Sequence, residues 1–317
     1  MTKVDLITGF LGAGKTTFLL HYAKYMLRQG KKIAILVFDR GAVNVDMPLL
    51  NELRGDNCEI EMLAGACDAD CHRRRFRTKL ISMGMRGFDR VLIEPSGVFD
   101  MDEYFDVLSD SPLDKWFEPG SVLTVVDAML EEDTTPEEDY YLASQAASAG
   151  RVILSRTQLA DEAQIEKTLA HLERACADIG ARSVSGRVLA KDWEALTDAD
   201  FQILEDCGWY AADYRKSIAG GVSSFQSLSF LELGLHREEL KERAERLFAE
   251  PDFGKILRIK GFFEEGGTWY QLNATKSSMH IAPVPDNRGA IIVIGSGLNE
   301  DAISLLMTGK LPEHHIL

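Results

Sequence analysis

No apolar run in this 317-residue chain approaches the roughly 20 residues that a bilayer-spanning helix needs. The first residues lead directly into a strand pattern, without the basic leader, apolar segment and small-residue cleavage site of a secretory signal. Basic residues are in deficit: 35 Lys and Arg stand against 50 Asp and Glu, a formal net charge of −15. That balance repels phosphodiester backbones and anionic lipid, so neither nucleic acid nor a membrane is expected as a partner. Cysteine is scarce and odd in number, 5 in all, which argues against a disulfide framework and makes any special cysteine a ligand or a thiol. A cytoplasmic chain is expected, long enough for two domains.

What is present begins at residues 9–17, GFLGAGKTT, set between the apolar run 4–7 and the helical spacing of Phe18, Leu19, Tyr22, Ala23 and Met26. Strand, glycine loop and helix in that order form a phosphate cradle. Gly9, Gly12 and Gly14 let backbone N–H groups turn toward a triphosphate with no Cβ in the way. Lys15 supplies a charge for the β- and γ-phosphates, the Thr16 hydroxyl can ligand Mg²⁺, and the following helix aims its positive end at the same anion. Ala13 and Thr17 complete the nucleotide-binding stretch.

Further strands are expected at residues 31–38, 88–94, 121–126 and 151–154, with helical patterns between most of them, including 163–179. Continuous apolar strands alternating with helices mean a mostly parallel sheet covered on both faces, with the strand-end residues along one edge. Asp39 follows the second strand and is placed to reach the Mg²⁺ shell; a simple loop cap is the alternative. Glu94 ends its strand as a Walker B carboxylate, orienting the metal's water or the attacking water, and Gly97 offers a backbone N–H to the γ-phosphate. The catalytic set is therefore Glu94, Lys15 and Asp39, with Thr16, Asp39 and Glu94 around Mg²⁺. Past Arg182 the alternation weakens, and Ala219, Gly220, Gly221 and Val222 form a breaker cluster. The reading is an α/β P-loop NTPase domain over 1–218 and a smaller α+β domain over 219–317. In the latter, strands are expected at 224–233, 255–263, 268–273 and 290–294, and helices at 237–248 and 299–306.

The succession GFLGAGKTT, IEPSG at 93–97, VVDA at 125–128, RIKGF at 258–262 and IGSGLNED at 294–301 resembles the CobW-like family of P-loop GTPases, over nearly the whole chain. That family is associated with metal delivery and cofactor assembly. The resemblance implies GTP as the nucleotide, hydrolysis, and a client metalloprotein or cofactor-assembly protein as partner; homo-oligomerisation stays open.

Three departures from the family pattern matter. Where the family carries Gly-Cys-x-Cys-Cys, this chain reads GACDADCH at 65–72. Cys67, Cys71 and His72 can hold Zn²⁺ or Co²⁺, with a carboxylate or a partner ligand completing the tetrahedron; packing cysteines left from a lost site are the alternative. In the first switch, Asp39 keeps a carboxylate but Ala42 has lost one. The third departure falls on the base: the Asn-Lys-x-Asp that reads guanine is replaced by Ser155, Arg156, Thr157 and Gln158. The Gln158 amide is a poor acceptor for two guanine protons, a loss on the order of 1–3 kcal/mol, whereas it can pair with adenine and the Arg156 stem can pack on either purine. GTP is what the resemblance implies; relaxed purine choice, ATP included, is what these residues imply.

Two functions remain in view: a nucleotide switch carrying a metal, and a nucleotide-dependent partner-binding module without metal cargo. A small-molecule kinase lacks any acceptor-binding segment that stands out. His314 and His315 read as a solvated tail, and Cys176 and Cys207 as packing residues.

Overall fold

The computed structural model of the chain describes residues 1–39, 47–64, 69–212, 214–215, 224–285 and 289–311, which fall into two compact units. In the amino-terminal unit the order is β1 (Thr2–Thr8), α1 (Lys15–Arg28), β2 (Ile33–Asp39), α2 (Met47–Asn51), β3 (Cys58–Ala64), α3 (Ala69–Gly84) and β4 (Arg90–Glu94). It continues with α4 (Met101–Ser109), β5 (Phe117–Asp127), α5 (Pro136–Ala147), β6 (Arg151–Ser155), α6 (Glu162–Asp178), β7 (Val188–Leu189) and α7 (Asp198–Glu205). The seven strands form one sheet in the order β3-β2-β4-β1-β5-β6-β7, and every pairing in it is parallel.

The strands are apolar without alternation because helices cover both faces. Leu6, Ile7, Ile35, Leu36, Leu92 and Ile93 are fully buried, as a parallel sheet requires. α1 buries Phe18, Leu19, Tyr22, Ala23 and Met26, the one-sided stripe of a helix lying on a sheet. With β1 between β4 and β5, the loop after β1 neighbours the carboxyl ends of both, where an α/β sheet binds its ligand.

A buried charge pair pins this arrangement. Arg90 Nη1 donates to Asp5 Oδ2 at 2.7 Å and to the Glu205 carbonyl at 3.0 Å. The Ser121 N–H donates to Asp5 Oδ1 at 2.8 Å and Tyr22 Oη to Asp5 Oδ2 at 2.9 Å, so β1, β4, β5 and α1 meet at one carboxylate, and α7 joins them through Arg90. Burial pushes the Asp5 carboxyl above the usual range, with Arg90 opposing it.

The carboxy-terminal unit runs β8 (Phe225–Leu231), α8 (Arg237–Ala249), β9 (Lys255–Glu265), β10 (Thr268–Thr275), β11 (Ser278–Val284), β12 (Ala290–Ser296) and α9 (Glu300–Thr308). Its sheet has the order β11-β10-β9-β12-β8, with antiparallel pairing throughout. Leu240, Ala244 and Leu247 of α8 and Ile303 and Met307 of α9 share a core with Ile259, Leu272 and Val293 of the sheet. The β9–β10 turn has Gly266 and Gly267 at φ 61° and 79°, the left-handed pair a two-residue hairpin demands.

The α/β architecture with a smaller α+β unit is as expected from sequence. β3, β7 and β11 have no strand range in the sequence reading, nor α2 and α7 a helical one. β3 reads CEIEMLA because it is a sheet edge: Glu59 and Glu61 alternate with apolar residues and pair with Arg86 and Lys79. β11 contains Pro283, tolerated because it too is an edge. Among the described residues no helix is long and apolar enough to cross a membrane.

Candidate nucleotide site

The loop between β1 and α1 holds its shape through three glycines. Gly9, Gly12 and Gly14 sit at φ 145°, 79° and 98°, which L side chains rarely adopt. A Cβ on Gly9 would lie 2.2 Å from the Val125 carbonyl oxygen, so the loop presses directly against β5. Gly14 caps α1 without a side-chain hydrogen bond. Ala13 is buried and Thr17 exposed.

Lys15, the first residue of α1, is only 6% exposed. Its ammonium turns back over the loop, donating to the carbonyls of Gly9 at 2.9 Å and Phe10 at 3.3 Å. The Thr16 hydroxyl donates to Glu94 Oε1 at 2.6 Å, joining positions 78 residues apart in sequence. Glu94 is itself 5% exposed, and the contact arises because β4 lies beside β1. A hydroxyl and a carboxylate in this position are hard oxygen donors of the kind Mg²⁺ takes. Gly97 follows on the same loop, where a Cβ would come within 2.5 Å of the Leu11 nitrogen. Its carbonyl accepts from Gln145 Nε2 at 3.0 Å.

On the far side of β1, Asp127 ends β5 level with Ser155, which ends β6 and is buried. Arg156 adopts φ 55°; its guanidinium pairs with the Asp127 carboxylate and donates to the Gly12 carbonyl at 3.2 Å. Its head group thus braces the phosphate loop. Gln158 is exposed on the following turn. Trp193 begins a single 3₁₀ turn, Trp193–Ala195. Its Nε1–H donates to the Leu154 carbonyl at 3.0 Å, and its ring meets Phe18 edge-on with centroids 5.4 Å apart. Sequence reasoning missed the placement of Trp193, the Asp127–Arg156 pair and the Gln145 anchor. A tryptophan in an acidic, aromatic stretch carried no motif, and the other two are contacts between segments far apart in sequence.

The metal-ligating candidates are only partly visible. Cys67, His314 and His315 lie outside the described residues, as does the side chain of Asp39, whose backbone closes β2. Cys71 and His72 are neighbours on the first turn of α3 and both partly buried. His72 Nδ1 is 2.7 Å from Glu103 Oε1 of α4, and its ring meets Phe38 edge-on at 5.0 Å. Among the described residues no group of three or more His, Cys, Asp or Glu could hold a metal ion. Burial pushes the thiols of Cys58, Cys176 and Cys207 up to about 11, about 12 and about 11, which leaves them protonated packing groups.

Comparison with known proteins gives matches for both units. The family model described as CobW/HypB/UreG, nucleotide-binding domain, matches residues 3–181. That of the cobalamin synthesis protein cobW C-terminal domain matches residues 226–309. The zinc chaperone YjiA of Escherichia coli (strain K12) is 31% identical over 169 residues, 51% of this chain and 51% of that protein. The zinc chaperone YeiR of the same organism is 28% identical over 158 residues, 50% of this chain and 47% of that protein. The chain therefore spans about half the length of the curated relatives it matches. The crystal structure of the Zn(II)-bound YjiA GTPase from E. coli aligns over 97% of this chain and 98% of that one, with a TM-score of 0.37 and 22% identity.

Proposed function

This chain belongs to the CobW/HypB/UreG nucleotide-binding family, and from that premise we propose that it is a Mg²⁺-dependent, slowly hydrolysing GTPase that hands a metal to a client protein. The observation that carries the reading is the Thr16–Glu94 contact at 2.6 Å. It sets the Walker B carboxylate against the hydroxyl of the phosphate loop, as nucleotide hydrolysis requires. In this reading Gly9 to Thr17 cradle the phosphates and Lys15 leaves the Gly9 and Phe10 carbonyls to neutralise them. Thr16, Glu94 and Asp39 hold Mg²⁺, and Glu94 orients the attacking water. Mg²⁺ bound by these residues would neutralise the negative charge that develops on the transferred phosphate.

Zinc is the proposed cargo, with Cys67, Cys71 and His72 as its ligands; two relatives that bear the name zinc chaperone support the choice, and Co²⁺ suits the same donors. Coupling between the two sites has a short physical route. The loop that begins at Glu94 touches the phosphate loop at Gly97 and leads into α4, whose Glu103 holds the His72 ring. A change of nucleotide state that moves this loop thereby moves a metal ligand. We place the protein in the cytoplasm, with purine choice relaxed by Gln158 in the position of the guanine-reading carboxylate.

The test is a zinc titration of the full chain with and without a non-hydrolysable GTP analogue. Zinc affinity should change with nucleotide and fall in the Cys67→Ala/Cys71→Ala variant. Equal zinc affinity in that variant sinks the cargo assignment, and absence of GTP and ATP binding sinks the nucleotide one.

A further inference from the structure

Thr16 and Glu94 mark the β4 side of the phosphate loop, where the terminal phosphate belongs if the chain binds a nucleoside triphosphate as proposed above. The sugar and base then extend the opposite way, over the carboxyl ends of β5, β6 and β7. The Arg156 head group there is already engaged, held by Asp127 and the Gly12 carbonyl. The indole of Trp193 presents a flat surface at that end. It is fixed from three directions, by the Nε1–H bond to Leu154 at 3.0 Å, by the Phe18 ring at 5.4 Å, and by Gly14. There a Cβ would come within 3.2 Å of its six-membered ring and 3.6 Å of Ser155 Cβ. Gly14 therefore accommodates this ring as well as the loop turn. Trp193 as a residue is only partly buried.

We propose that Trp193 is the base-contacting residue of the site, a pre-positioned aromatic wall on which the purine packs. A ring held at its nitrogen and its edge loses little freedom when the ligand arrives. Aromatic packing reads the π-face that adenine and guanine share, so it supplies affinity without choosing between them. It thus makes up for the carboxylate that Gln158 replaces.

The experiment measures binding of GTP, ATP and inorganic tripolyphosphate, each with Mg²⁺, to the full chain, to Trp193→Ala and to Trp193→Phe. Trp193→Ala should weaken GTP and ATP alike by about tenfold or more and leave tripolyphosphate within about twofold, since each base–aromatic contact is lost only for ligands that have a base. Trp193→Phe should restore most of the loss. In parallel, GTP should change the tryptophan emission of the unmodified protein, tripolyphosphate should not, and the change should disappear in Trp193→Phe. Unchanged nucleotide affinity in Trp193→Ala overturns the proposal. An equal loss for tripolyphosphate overturns it too, because the ring would then merely support the loop. If Trp193→Ala fails to fold, a full emission change persisting in Trp193→Phe decides against it. No binding of any of the three to the unmodified protein refutes the nucleotide reading instead.

Discussion

Replacing Gly97 by Ala tests whether the loop after β4 is built against the phosphate loop. An added Cβ would sit 2.5 Å from the Leu11 nitrogen, 2.8 Å from its Cα and 2.8 Å from its Cδ2. Two of these are main-chain atoms and cannot rotate away. Gly97 is not in the left-handed region, so the clash and not backbone strain is what the substitution introduces. The Gln145 bond to the Gly97 carbonyl at 3.0 Å opposes retreat of the β4 loop, which leaves residues 9–14 to move. Overpacking of this kind costs about 1–3 kcal/mol. Without ligand the displaced loop relieves it, and binding must restore the loop, so the cost appears as a loss of GTP affinity of roughly five- to 150-fold. Calorimetric titration with GTP and Mg²⁺, paired with urea denaturation, reads both parts of the cost. Gly55→Ala serves as control, since its Cβ would meet nothing within 4 Å. A Gly97→Ala protein with wild-type affinity and wild-type stability would refute the reasoning.

Glu94→Gln should slow hydrolysis by about a hundredfold or more while weakening GTP binding less than about tenfold, as single-turnover rates and dissociation constants will tell; equal losses in both would contradict the role given to the carboxylate. Arg90→Met strands the fully buried Asp5 and should cost about 3–5 kcal/mol in urea denaturation. Adding Asp5→Asn should recover much of that, and a cost under about 1 kcal/mol for the single variant would show the pair to be dispensable. Asp200 is held down to about 2 by its bonds from Lys191 and Thr197, below the roughly 3.9 of an unfolded aspartate. Its stabilisation is therefore complete above that unfolded value and lost as pH falls from about 4 toward 2. The difference in denaturation midpoint between the native protein and Asp200→Asn should shrink across that window, and a difference constant with pH would count against the bonds from Lys191 and Thr197.

Much of the architecture is legible in the chain itself, because burial on both faces of a parallel sheet forces unbroken apolar runs such as those at Leu6–Ile7 and Leu92–Ile93. The phosphate loop is legible for a similar reason: three left-handed positions within a few residues need glycine, and the ligand's charge needs a lysine beside them. Both signals are local. Edge strands were harder to read, since β3 commits Glu59 and Glu61 to ion pairs and β11 carries a proline, which blurs the pattern that burial imposes elsewhere.

Local chemistry alone determined that a phosphate-binding turn opens the chain, that a parallel α/β sheet follows and that a smaller antiparallel unit closes it. Only the tertiary structure decided which side chains meet around that turn. Glu94 reaches Thr16 because β4 lies beside β1. Arg156 is drawn to Asp127 and Gly12, and Trp193 is set against Gly14 and Phe18 by the bond its indole makes to the end of β6. Strand order and loop closure join residues 29 to about 180 positions apart, and no periodicity along a chain encodes which distant partner a side chain will find.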